Sequence, residues 1–324
     1  MAVPFLITDV RVFDGQDVIE RGSVLVEKGM ISQVSPGRVD FDGLTLPKPG
    51  CTLISGLIDV HIHATHGSNL ALPQSLRFGV TTVLDMHNEW CRIEKLRRQS
   101  MGGGCADLKV AGVAATVEGG WPSPMILLND DSPQMRQAIS EWPNLRTPDE
   151  GRQYVQDRLK EGVDYIKLMH ESGSFMARDL VKPTIEVQRA ITDEAHKAGL
   201  LVLAHATSLE DTVEILNCGV DGLTHTFIDR PPTAELISAY KANNAHCNPT
   251  LATMASTTAE GRELQVQFAQ DARVQSLIGS VERERKCSCT KIAVGQSMTC
   301  ENAFETVRQM RVAGITVLVY GTPT

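Results

Sequence analysis

With 324 residues, the chain is long enough for one large α/β domain, or for a barrel carrying a small appendage. Hydrophobic residues at 42% and charged residues at 22% fit an ordinary water-soluble globular protein, and no apolar run approaches the ~18 residues of a membrane span. The balance of 31 basic against 39 acidic residues, a net charge of −8, argues against nucleic acid or an anionic membrane as main partner.

The chain starts "MAVPFLITDVRVFDG", which alternates like a strand and lacks the basic region and long apolar core of a secretory leader. Eight scattered cysteines fit reduced thiols, so the expected location is cytoplasmic. Residues 5 to 45 read as short strands between turns, with no helical period. Residues 1–51 are therefore expected to form an N-terminal β-module, part of a β-sandwich.

From residue 52 to 324 the texture changes to strands alternating with helices. One junction recurs: a helix closing on glycine, followed at once by an apolar strand. It appears as "LRFGVTTVLD", "LKEGVDYIKLM", "HKAGLLVLAH", "LNCGVDGLTH" and "RVAGITVLVYG". Glycine suits the left-handed residue just past a helix end. The helix entering the second junction begins with Thr147, Pro148 and Glu150, a capping box with proline at the first helical position. Adding "TLISGLIDVHIH", "DLKVAGVAA" and "AHCNPTL" makes eight strands. The predicted fold class is α/β, a (β/α)8 TIM-type barrel, with a doubly wound open sheet as the alternative.

Barrel active sites form at the C-terminal ends of strands. Here those ends carry His61, His63, Lys167, His205 and His225. His61 and His63 are two apart on one strand and so share a face. Alone, such a pair also reads as hydrogen-bonded interior histidines. His205 and His225, however, each lie six residues after a helix-ending glycine, Gly199 and Gly219, which puts them at equivalent places on successive strands. Four histidines converging on one rim fit a dinuclear metal site better than core packing.

In "VDYIKLM", Ile166 and Leu168 take one face and Lys167 the other. If the two apolar residues pack on outer helices, the lysine points into the barrel. An unpaired ammonium there is costly, and near metal ions it is also repelled. Carboxylation by CO2 would turn it into an anionic carbamate able to bridge two metals. A lysine reaching water at the rim and a Schiff-base lysine are the alternatives. The surrounding histidines favour the carbamate.

The ordered segments "ISGLIDVHIHATHG", "FGVTTVLDM", "GVDYIKLM", "ITDEAHKAGLLVLAHATS", "ILNCGVDGLTHTF" and "NPTLATM" resemble the amidohydrolase superfamily. The resemblance is to its imidazolonepropionase-like branch, which includes metal-dependent dipeptidases and ochratoxin amidase. It implies that His61 and His63 bind one metal, that carboxylated Lys167 bridges, and that His205 and His225 bind the second. Two divalent ions, zinc by preference, would supply a bridging hydroxide that attacks an amide, lactam or dipeptide-like carbonyl of a small-molecule substrate. Neither nucleic acid nor membrane is expected as partner, and homo-oligomerisation stays open.

The resemblance also implies an aspartate after Gly-Thr at the end of strand eight, as ligand and base. Gly321 and Thr322 match, and Pro323 stands in its place, so no catalytic carboxylate is assigned. The N-terminal module is correspondingly expected to be incomplete, and the sequence to be truncated at its C-terminal end relative to the family. Asp85, after strand two, and the terminal carboxylate of Thr324 are the nearest substitutes. His66, His87 and His170 follow strands one, two and four, with His66 and His170 as candidate substrate contacts. The loop "EGGWPSPMILLND" is a candidate pocket wall anchored by Trp121. Three readings of function follow: a metal-dependent amidohydrolase, a catalytically impaired remnant of that family, and a Schiff-base lyase using Lys167.

Overall fold

A computed structural model describes residues 3–64, 69–280, 283–284, 287 and 298–318. His66 and residues 321–324, with Pro323 among them, lie outside the described residues. The protein divides into two compact units, Met1–Leu57 and Ile58–Thr324.

In the first unit, β1 (Phe5–Phe13), β2 (Val18–Glu27), β3 (Met30–Pro36), β4 (Leu44–Pro47) and β5 (Thr52–Leu53) form one sheet. The strand order is β3-β2-β1-β4, with β5 also on β1. The β1–β2 and β2–β3 pairs are antiparallel, whereas β4 and β5 run parallel to β1. Lys28 and Gly29, at φ 54° and 79°, turn β2 into β3 through the left-handed region that a two-residue hairpin loop requires. Alternate residues of β1 and β2, Val10, Val12 and Val24, are buried together. Thr52 and Leu53 pair with β1, which carries this unit past residue 51.

The second unit opens with β6 (Leu57–Ile62), α1 (Ala71–Arg77), β7 (Val80–Asp85), α2 (Trp90–Met101) and β8 (Asp107–Val110). Then come α3 (Ser123–Asn129), α4 (Pro133–Ser140), α5 (Pro148–Lys160), β9 (Ile166–Met169), α6 (Ile185–Lys197) and β10 (Val202–His205). Next are α7 (Leu209–Leu216), β11 (Gly222–Thr224), α8 (Ala234–Ala242) and β12 (His246–Asn248). The last elements are α9 (Leu251–Thr258), α10 (Arg262–Gln270), α11 (Ala272–Gln275) and α12 (Cys300–Val312).

Strands β6-β7-β8 are neighbours in sequence order, as are β9-β10-β11-β12. Ala115 joins the two groups, donating to the Lys167 carbonyl at 2.8 Å and accepting from Met169 at 2.9 Å. Val317, after α12, makes a parallel bridge to Cys247 and begins the eighth strand. Each strand thus lies beside the next in sequence. A doubly wound sheet would instead reverse its order at a switch point, so the architecture is a (β/α)8 barrel with an N-terminal β-module.

Local chemistry explains the register. Thr147 Oγ1 accepts from the Glu150 amide while Glu150 Oε2 accepts from the Thr147 amide, so the capping box starts α5. Gly199 and Gly219, at φ 75° and 87°, end α6 and the turn after α7 in the conformation that glycine tolerates best. Ile166 and Leu168 are buried among Tyr154, Val155, Val187 and Ile191 of α5 and α6. Period-two alternation then turns Lys167 to the barrel interior. Among the described residues, no helix is long and apolar enough to cross a membrane.

Candidate metal centre

His61, His63, Lys167, His205 and His225 converge. The His61 ring centroid lies 5.3 Å from that of His63 and 4.7 Å from that of His225, and His205 lies 4.9 Å from His225. The His61, His205 and His225 side chains are buried, and Lys167 is 1% exposed. His205 closes β10, whereas His225 sits one residue past β11 at φ 79°. That conformation is strained for a non-glycine residue and is held by the His225 amide donating to the Asn248 carbonyl at 2.8 Å.

Burial pushes the His61 pKa well below its ordinary value, and His225, Lys167, His63 and His205 push it further. His205 and His225 are lowered in the same way, by burial first and then by their neighbours. All three are therefore neutral at pH 7, the form that binds metal. Burial also takes Lys167 well below the normal lysine range. Its Nζ donates to the Thr224 hydroxyl, which itself donates to the Ala204 carbonyl at 3.1 Å. Among the described residues no carboxylate pairs with Lys167. Burial thus favours the unprotonated amine over the ammonium.

The outer ring nitrogens are held selectively. His225 Nδ1 meets Thr250 Oγ1 at 2.6 Å, and His205 Nε2 meets Glu171 Oε2 at 3.2 Å. Among the described residues, His61 Nδ1 is buried with no hydrogen-bond partner. Buried ring nitrogens are rarely left so. An orphaned imidazole nitrogen, neutral neighbouring imidazoles and a buried amine with no carboxylate partner among the described residues are the donor set that a divalent ion would satisfy. These residues fit divalent metal.

Four contacts were missed by sequence reasoning. Thr224 and Thr250 lie beneath the lysine and behind His225. Trp121, expected only as the anchor of a pocket wall, stacks on His205, with centroids 5.0 Å and planes 18° apart. Glu171 is 1% exposed, and burial raises its pKa to about 7 although the Thr207 hydroxyl and the Gly173 amide both donate to it. An acidic residue two positions past strand four was the available signal for Glu171; the other three contacts left none.

Three other histidines and one aspartate stand differently. His66 lies outside the described residues. His170 has no exposed surface, and both ring nitrogens are occupied, Nδ1 by the Gln188 amide and Nε2 by Glu214 at 2.8 Å. That geometry leaves no atom of the ring for substrate, contrary to the expectation from its position. His87 accepts from the Ala114 amide through Nδ1 and meets Trp142 edge-on. Asp85 accepts from Asn88 at 2.7 Å and from the His87 amide, and burial raises its pKa to about 7. It is occupied as a structural acceptor. His170, Asp211 and Glu214 also cluster closely enough for a metal ion, but Lys182 Nζ lies among them, 2.7 Å from Asp211 and in contact with Glu214. The cluster contains its own cation.

Residues 52–286 match the amidohydrolase family. The protein belongs to that family, whose members are metal-dependent hydrolases acting on carbon–nitrogen bonds. Similar solved structures include a Xaa-Pro dipeptidase with methionine in its active site, at 17% identity and a TM-score of 0.69 over 98% of this chain and 79% of that one. The A. niger ochratoxinase is 15% identical with a TM-score of 0.66, covering 99% and 76%. Molinate hydrolase is 19% identical with a TM-score of 0.70, covering 99% and 73%. At these identities the likeness is one of fold. No curated protein matches the sequence.

Proposed function

We propose that this protein hydrolyses an amide, lactam or dipeptide-like bond in a small molecule, with divalent metal held by His61, His63, Lys167, His205 and His225. In this reading His61 and His63 would hold one ion and His205 and His225 the other, with carboxylated Lys167 as the anionic ligand that both would share. Zinc is the expected metal and the cytoplasm the expected location. The observation that carries the proposal is the buried Lys167 amine among buried imidazoles, with a hydroxyl and no carboxylate as its partner among the described residues.

Carboxylation joins the Nζ lone pair to CO2 and releases one proton, so the site gains an anion where an ammonium would be repelled. When bound, a metal pair generates a nucleophile from water at neutral pH and polarises the scissile carbonyl. The protein's own contribution is orientation. Thr250 and Glu171 set the outer nitrogens of His225 and His205, and Trp121 covers one face of His205. The experiment is hydrolysis of N-acyl amino acids, lactams and dipeptides after reconstitution with Zn2+ and bicarbonate. Turnover should occur in the wild type and vanish in His61→Ala.

A second reading, a catalytically impaired member of the family, is motivated by Pro323, which stands where the resemblance calls for an aspartate. A general base contributes ~10² to 10⁴-fold to a rate, so its loss would leave a protein that takes up metal but turns over poorly. Metal uptake without measurable hydrolysis on the same substrate panel would favour this second reading.

A further inference from the structure

Glu171 lies two residues beyond β9, and His205 closes the neighbouring strand β10. The His170 amide donates to the His205 carbonyl at 3.0 Å, which ties the backbone leading into Glu171 to His205 itself. The Glu171 side chain is held at both oxygens. Oε1 accepts from the Gly173 amide at 2.8 Å, while Oε2 accepts from the Thr207 hydroxyl and faces His205 Nε2 at 3.2 Å. With 1% exposure, the carboxylate has no solvent to turn to. These donors come from the end of β10 and the loops that follow β9 and β10, so its position is fixed by the barrel rim.

We infer that Glu171 is a positioning residue: it accepts a hydrogen bond from His205 Nε2–H and so selects the imidazole tautomer whose free lone pair is on Nδ1. A neutral imidazole carries one N–H, and the nitrogen bearing it cannot ligate. At His225 the nitrogen engaged is the opposite one, Nδ1, which Thr250 Oγ1 meets at 2.6 Å; a hydroxyl both donates and accepts, so this contact sets the ring's orientation rather than its tautomer. The two rings, with centroids 4.9 Å apart and nearly perpendicular at 79°, thus present unlike nitrogens to the space they share. Trp121, stacked on His205, limits rotation of that ring out of this arrangement. Carboxylate partners of this kind orient metal-binding histidines and raise their basicity.

The inference rests on the metal-centre reading for its purpose but not for its first test. In metal-free protein, the ring ¹⁵N shifts of His205, assigned by comparison with His205→Gln, should report the Nε2–H tautomer. An Nδ1–H tautomer overturns the inference, whether or not the protein later binds metal. In Glu171→Met the tautomer preference should relax, and the affinity for the second Zn2+ equivalent, read by chelator competition, should fall about 10- to 100-fold. Glu171→Gln keeps an acceptor oxygen and should retain affinity within a few-fold, a rescue that a space-filling role would not predict. Equal Zn2+ affinity in the wild type and Glu171→Met also overturns the inference. If Glu171→Met fails to fold, the wild-type tautomer decides. If the wild type binds no Zn2+, the metal reading falls, and the tautomer still decides the positioning.

Discussion

Lys167 Nζ rests on the Thr224 hydroxyl across the intervening strand β10, and among the described residues it has no carboxylate partner. Thr224 hands its own proton to the Ala204 carbonyl, so the pair conveys no negative charge to the lysine. A buried amine so placed loses its proton before the surface lysines do, and its reactivity follows from that loss.

Lys167→Met keeps the volume and removes the amine. Burial makes the folded lysine bind its proton less tightly than the unfolded one, so this residue contributes stability that grows as pH rises towards its unfolded value of about 10.4. Urea unfolding of metal-free protein at pH 7 and pH 9 should show Lys167→Met at least as stable as the wild type at pH 7, with that advantage shrinking at pH 9. A methionine variant that is less stable at pH 7 would mean the lysine is charged and paired.

Asp85 gives the opposite slope. Its folded pKa is raised to about 7 by burial, above an unfolded value of about 3.9. Its contribution is fully present below about pH 4 and is lost as pH climbs to about 7. Asp85→Asn, with the Asn88 amide turned to accept, does not titrate. The stability of the variant relative to the wild type should improve by up to about 1.4 kcal/mol per pH unit across that window and level off above it. A pH-independent difference would place Asp85 in an ionised, solvated setting.

Lys182 balances Asp211 and Glu214 beside a fully buried His170. Removing one partner of a buried ion pair leaves an uncompensated charge. Because Lys182 and Glu214 are partly exposed, Lys182→Met should cost no more than about 3 kcal/mol, the bottom of the range for buried pairs. Chemical denaturation checks it, and a loss below about 0.5 kcal/mol would show the cluster to be solvated like a surface bridge.

Trp121 is one of three tryptophans and is stacked on His205. Charge arriving at that imidazole should alter the indole emission. Zn2+ titration should therefore change wild-type fluorescence, and the change should disappear in Trp121→Phe, which leaves Trp90 and Trp142 in place. A signal that persists in Trp121→Phe would assign it to another indole.

The barrel was legible because its punctuation is local. Gly79, Gly162, Gly199, Gly219 and Gly314 all adopt positive φ at the helix ends where the recurring junction predicted them. The histidine convergence was legible because position on a strand fixes depth in a barrel, and six residues from glycine to histidine repeats that depth. What stayed hidden is what joins distant segments: Thr224 lies 57 residues from Lys167, and Trp121 lies 84 from His205. His170 shows the limit within three residues of Lys167. Past Met169 the strand alternation lapses, and the ring turns out among α6 and α7 rather than over the rim.

The central claim is that Lys167, as a carbamate, and the four histidines hold metal. Elemental analysis of folded, desalted protein after reconstitution with Zn2+ tests it most directly, with and without bicarbonate, beside Lys167→Met. The account predicts a pair of retained zinc ions in the wild type with bicarbonate, less without it, and loss of the pair in Lys167→Met. A folded wild type that retains no metal, or a Lys167→Met protein that retains as much as the wild type, would contradict it.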